Sequence, residues 1–369
     1  MLNDNFSINV PLGSVSFGQI SFAILHEIHA LGLNPNIFVI GGGVDGTAQK
    51  IEPEFGNWLN NCIGKAARSH SRDYPVFRLW HYQQSLESYS NNKQLLYTFW
   101  ETDTPTPEEL NTVKNNRLVA LSSQYAVDIF KNNFNCQNVI KLSPGFDKHN
   151  FFNTNKKYFD DDRIVFSCIG KFENLRKGQG KIIQSWIKKY GGNKKYWLHV
   201  SIWNPFLSKE QNEGIWREIL QGQNVPNVVF YPWMPQNSIY NDFLNASDIV
   251  IGMGNESFGL AEFTSLCLSK HAILLNANGY KEYATNENAI LINPNGKVEA
   301  NDIFFQKGGQ YNQGNFFTWD IEEFLNGCGE AIKRVENNRI NTEGAKLQER
   351  FKYSDTVKTI LGHLEGFNK

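Results

Sequence analysis

A disulfide framework, a membrane-spanning run and a charge bias of one sign are all missing from this 369-residue sequence. Its five cysteines, Cys62, Cys136, Cys168, Cys267 and Cys328, are scattered without the close pairs of a zinc site or a secreted scaffold. That spacing points to a reducing, cytoplasmic setting. No apolar run approaches the ~20 residues of a membrane span, and the opening MLNDNF lacks the charged-then-apolar order of a signal peptide. Lysine and arginine total 36 against 37 acidic residues, so no overall field draws the chain to nucleic acid or to an anionic membrane. Affinity for any partner has to come from a local site. There is no serine elbow, Walker loop, metal-spaced histidine set or glycosidase-like carboxylate pair, and no repeat of solenoid length. Neither a bound metal nor a cofactor is expected.

What is present is apolar content of 41%, enough for two domains that each bury a core. Trp80, Trp100, Trp203 and Trp233 can stack on sugars or simply pack the core. The chain opens with FSINVPL, GSVSFG and then Ile20, Ile24, Ile28 and Leu31 at helical spacing, a strand, glycine loop and helix in turn. NIFVIGGG follows as a second strand, whereas residues 44 to 78 show no clear periodicity. RLVALSS and NVIKLSPGF read as strands around a short helix in YAVDIFKNNF. The polar HNFFNTNKKYFDDD then reads as a linker.

From RIVFSCIGKF onward, strands (YWLHVSIW, NVVFYPW, DIVIGM, HAILLN, AILIN) alternate with helices. This predicts a doubly wound parallel sheet with ligands at the carboxyl ends of its strands. The fold class expected is α/β, with two Rossmann-like domains facing a cleft. An N-terminal Rossmann-like domain over 1–155 and a C-terminal one over 156–345 are expected. A C-terminal helix in 346–369 is expected to pack back on the first domain.

Two stretches carry chemistry. In IGKFENLRKGQG a strand runs into a loop with Lys171, Arg176 and Lys177. Three cations at the end of a strand suit a diphosphate, since a pair at ~4 Å is worth about 4 kcal/mol at an effective dielectric of 20. A solvated basic turn would look the same. In DIVIGMGNESFGLAEFTSL a strand ends in glycines and a helix opens near Phe258 and Gly259, so backbone amides and the helix dipole favour an anion. Glu256 beside them can accept from sugar hydroxyls, or it can merely cap the helix, worth about 0.5 to 2 kcal/mol.

Taken in order, with LSPGFD before and GYKEYATNENAILINP after, these stretches resemble the large retaining glycosyltransferase family numbered four. Pro144, Gly145 and Asp147 match its proline-glycine-aspartate turn, and Lys171 and Lys177 fall where it has a basic pair. Glu256, Phe258 and Gly259 match its glutamate and phenylalanine-glycine helix start. The resemblance covers roughly residues 120 to 295 and implies a GT-B fold and transfer of a sugar from a nucleotide-diphosphate sugar, with retention and without metal. Lys171 and Lys177 would grip the diphosphate and Glu256 the donor sugar, with Ser257, Phe258, Gly259 and Leu260 beside them. The acceptor implied is a glycan, a lipid-linked sugar or another hydroxyl.

The family's second glutamate, which binds ribose, corresponds here to Thr264, and Glu262 lies ~200° away around a helix, so it does not simply replace it. The interval between Lys171 and Lys177 is one residue longer than usual, which leaves Arg176 as a third candidate for the diphosphate. In the N-terminal half Gly13 and Gly18 correspond to the family's first glycine loop and His81 to its cleft histidine. YTFWETDTPTPEEL is similar to members with a tryptophan-glutamate-threonine segment, placing Glu101 and Asp103 near the acceptor, although a capped turn before a helix explains it as well. Two further readings stay open, a GT-B binding module without turnover and a transferase acting on DNA bases in a virus.

Overall fold

The computed structural model describes residues 4–87, 90 and 92–368. Six parallel strands form the first sheet: β1 (Ser7–Leu12), β2 (Asn36–Val44), β3 (Val76–Leu79), β4 (Gln94–Thr98), β5 (Leu118–Leu121) and β6 (Val139–Lys141). Their spatial order is β2-β1-β3-β4-β5-β6. A second parallel sheet uses β7 (Ile164–Ile169), β8 (Tyr196–Ser201), β9 (Val228–Phe230), β10 (Ile249–Gly252), β11 (His271–Leu275) and β12 (Ile290–Ile292) in the order β12-β11-β10-β7-β8-β9. In each sheet the chain starts in the interior and reverses direction across it, beside β1 in the first and beside β7 in the second. Such a reversal leaves a crevice between two loops that diverge, and open α/β sheets bind ligands there.

The strands are near-continuous apolar runs because helices cover both faces. β4, β7, β10 and β11 are buried along their whole lengths. Helix Ile321–Asn337 shows why these elements form. Asp320 caps it by accepting from the amides of Glu322 and Glu323, and Phe324, Leu325, Cys328, Ala331, Ile332 and Val335 place one apolar stripe on the second sheet's core. All five cysteines are buried and free.

Residues 44 to 78, without clear periodicity in the sequence, hold helix Pro53–Ser69 and β3. Helix Tyr353–Gly366 packs on helix Ser16–Ala30, and its Tyr353, Val357, Ile360 and Leu364 complete the core of the first sheet. Gly145 makes this return possible, since a Cβ there would lie 2.2 Å from the Tyr353 amide nitrogen.

An antiparallel hairpin, β13 (Pro294–Glu299) and β14 (Asn315–Trp319), follows the second sheet. It reaches across to the first half. Asp103 accepts from the Asn315 amide at 2.9 Å and from Lys297 at 2.8 Å, and the Asn312 amide donates to Glu109 at 2.7 Å. Glu109 also closes a capping box with Thr106 at the start of helix Pro107–Asn115. No helix is long and apolar enough to cross a membrane, among the described residues.

Candidate functional site

The loops after β7 and β10, adjacent strands of the second sheet, form its crevice. They carry Lys171, Arg176 and Lys177 on one side and Glu256 on the other. Gly178 sits in the left-handed region at φ 65° and ends the short helix Asn174–Lys177, so the next helix can start at once along a new axis. A Cβ on Gly254 would lie 2.8 Å from the Lys177 Cα. The two loops therefore touch through backbone, which requires glycine at that point.

Lys177 Nζ donates to Glu256 Oε1, and Arg176 lies 3.2 Å from Glu256 Oε2. Arg176 also donates to Glu173 through Nε and to the Asn255 carbonyl at 3.0 Å, and Glu101 from the first half stands 4.0 Å away. Lys171 pairs with Glu173 at 2.8 Å and lies over the Phe304 ring at 4.4 Å. Every cation anticipated for a diphosphate thus already holds a carboxylate.

The same packing sets the protonation states. Burial works against the charges of Glu173 and Glu256, but the neighbouring Arg176 and Lys177 outweigh it. They lower Glu173 to about 2 and hold Glu256 below the usual carboxylate range. For Glu101 burial prevails over Arg176, and its pKa rises to about 7.

Glu262 points into a small pocket shared with Lys177, Glu256, Gly252 and Tyr280, no larger than a water molecule needs. Its Oε1 accepts from the Tyr280 hydroxyl at 3.3 Å, and burial followed by the Glu256 charge raises its pKa to about 7. Thr264 is buried in the same helix, Leu260–Cys267. Gly259 precedes that helix with φ 81°. Phe258 is core, packed on Phe263 and Tyr283, and Leu260 packs against the cores of both sheets. Ser257 joins the halves, because its Oγ accepts from the Trp100 amide at 2.8 Å and shares a hydrogen bond with Ser122 Oγ at 2.7 Å.

The first sheet's crevice contains Gly13, Gly18 and His81. Gly13 and Gly18 form the loop and first turn after β1, and a Cβ on Gly18 would fall 2.1 Å from the Gly13 carbonyl oxygen. His81 follows β3, packed on Phe17 at 4.5 Å and Trp80 at 5.1 Å. Desolvation by these neighbours and the charge of Lys171 lower its pKa to about 4, so its imidazole is neutral at pH 7.

Asp103 binds the β13–β14 hairpin, while Glu101 turns toward Arg176. Trp100 is core, against Tyr82 and Phe130. Glu173, Tyr280 and Asn255 were not legible as site residues. Asn255 accepts from the Phe317 amide at 2.8 Å and from Asn278 at 3.0 Å, contacts made with distant segments. Glu173 did leave a signal, its three-residue spacing from Arg176.

No family model matches this sequence, and no curated protein matches it. Among solved structures, the chain is similar to sucrose-phosphate synthase from Thermosynechococcus elongatus, at 12% identity over 97% of each chain with a TM-score of 0.67. It is also similar to a glycosyltransferase from Rickettsia africae, at 12% identity over 100% of each chain with a TM-score of 0.65. The Anabaena protein HepE, solved with UDP-glucose, matches at 12% identity over 98% of this chain and 99% of its own, with a TM-score of 0.60. The fold is GT-B, as the family resemblance implied, and its two parallel sheets are those that the alternation of strands and helices led one to expect.

Proposed function

We propose that this protein transfers a sugar from a nucleotide-diphosphate sugar to an acceptor hydroxyl, with retention and without a metal ion, and that it works in the cytoplasm. One observation carries the reading. The crevice of the second sheet brings Lys177 and Glu256 into contact from loops 79 residues apart, beside Lys171. A diphosphate entering there meets two lysines, and the sugar attached to it meets the Glu256 carboxylate.

Lys171 and Lys177 would stabilise the charge that develops on the leaving phosphate, in a site arranged before the reaction begins. Arg176 is assigned to holding Glu256 in place, since its guanidinium is committed to Glu173, Glu256 and the Asn255 carbonyl. The acceptor enters from the first sheet, past Gly13, Gly18 and a neutral His81 able to share a hydrogen bond with a hydroxyl. The acceptor proton passes to the leaving phosphate oxygen on the same face, so the protein supplies no obligatory base. The ligand of one neighbour, UDP-glucose in HepE, supports a nucleoside diphosphate as the donor's leaving part.

The test is a thermal-shift screen against nucleoside diphosphates and nucleotide sugars, with Lys177→Ala beside the wild type. One nucleotide family should stabilise the wild type and lose that effect in the variant. Turnover should fall by about 10² to 10³, equivalent to roughly 3 to 4 kcal/mol. If no nucleotide at millimolar concentration moves the melting point, donor binding here is refuted and a binding module without turnover is the better reading.

A further inference from the structure

Glu262 stands out among the buried ionisable groups because nothing in the proposed reaction uses it. It lies behind Glu256, and the two carboxylates line one small pocket together with Lys177. The groups facing it are Lys177 from the loop after β7, Glu256 from the loop after β10, and Tyr280 and Tyr283 from the turn after β11. Tyr240 from helix Asn237–Ala246 and Cys168 of β7 complete the surroundings. Lys177 is the only cation among them. Glu256 has a second cation, Arg176 at 3.2 Å, whereas Glu262 accepts from the Tyr280 hydroxyl at 3.3 Å and from a backbone amide, both neutral donors.

We propose that Glu262 is a positioning residue that takes up a proton when a nucleoside diphosphate draws Lys177 away from Glu256, so that donor binding and proton uptake are coupled. This rests on the assignment of Lys177 to the diphosphate. As Lys177 turns to the phosphates, two carboxylates in one desolvated pocket lose the cation they share, and both cannot remain ionised. Glu256 keeps its charge because Arg176 stays, and it must keep it to accept from sugar hydroxyls. Glu262 therefore takes the proton from solvent. Once neutral, it no longer repels Glu256 or competes with the phosphates for Lys177.

The free protein sets the window. With Glu262 at about 7 before binding, it is mostly ionised at pH 8 and has a proton to gain, while well below pH 7 it already carries one. Affinity for the diphosphate accordingly falls as pH rises above 7, approaching about tenfold per pH unit for one proton gained.

The experiment is isothermal titration of the whole protein with UDP and with ADP at pH 8, where the nucleotide phosphates are already ionised, in buffers of different ionisation enthalpy. Wild type should take up close to one proton per nucleotide bound. Glu262→Gln should bind without uptake and lose the pH dependence. Tyr280→Phe, which removes the hydrogen bond to the ionised carboxylate, should move the onset of uptake to higher pH. Binding without buffer dependence overturns the proposal. So does uptake that survives Glu262→Gln and disappears in Glu101→Gln, or an onset that Tyr280→Phe leaves unmoved. Failure of both nucleotides to bind removes the donor assignment itself, and this inference with it.

Discussion

Replacing Arg176 by methionine tests the electrostatics of the site most directly. Arg176 is 8% exposed, and its guanidinium faces Glu173, Glu256 and Glu101. Methionine keeps much of the volume and removes the charge, leaving three carboxylates in a desolvated pocket with only the lysines nearby. Removing one partner of a buried ion pair costs roughly 3 to 5 kcal/mol, because the remaining charge cannot recover its water. At roughly 2 to 4 °C per kcal/mol, the melting point at pH 8 should drop by about 10 °C.

The pH dependence has a definite sign. Glu101, raised to about 7 in the folded protein, binds its proton more tightly folded than unfolded, so stability falls as pH rises from the unfolded carboxylate value toward 7. Without Arg176 the pKa values of Glu101, Glu173 and Glu256 all move up, and the decline extends to higher pH. The gap between wild type and variant should therefore be small near pH 5 and largest near pH 8. Urea unfolding followed by fluorescence at both pH values measures it. A loss under about 1 kcal/mol at pH 8, or a gap unchanged between the two pH values, would refute the claim that Arg176 neutralises this cluster.

Asp103→Ala should free the β13–β14 hairpin from the first half at a cost of about 1 to 3 kcal/mol in charge-assisted hydrogen bonds. Amide exchange should speed up over residues 294–319 while β10 and β11 are unaffected. Gly259→Ala forces φ 81° on alanine and sets a Cβ 2.5 Å from the Tyr280 ring. A loss of roughly 2 to 5 kcal/mol is expected from denaturant unfolding. Gly329→Ala, in a helix with open space around it, should instead stabilise by about 0.5 to 1 kcal/mol, and equal effects at the two glycines would contradict the packing described.

The periodicities of the sequence determined the architecture, because a strand buried on both faces and a helix with one apolar stripe are local patterns. They placed the alternation of β7 to β12, and the glycine loops after β1 and β10 marked where backbone must approach closely. Gly13, Gly18, His81, Lys171, Lys177 and Glu256 all lie at the two crevices for this reason, since strand topology turns a residue just past a strand into a crevice residue. Residues 44 to 78 resisted, because helix Pro53–Ser69 buries only Phe55, Trp58, Leu59, Cys62 and Ala66 and β3 is only four residues long.

Tertiary structure alone decided which charge meets which. Arg176 stands among the cations in the sequence, but folding surrounds it with Glu173, Glu256 and Glu101, the last two distant in the chain. Glu262 shows the same limit. Helical geometry sets it apart from Thr264, yet only the packing of β7, β10 and the Tyr280 turn sets it behind Glu256. Charge pairing depends on through-space distance and desolvation, neither of which is written in the local order of residues, and the ionisation of this site was therefore settled only when two separate loops closed on each other.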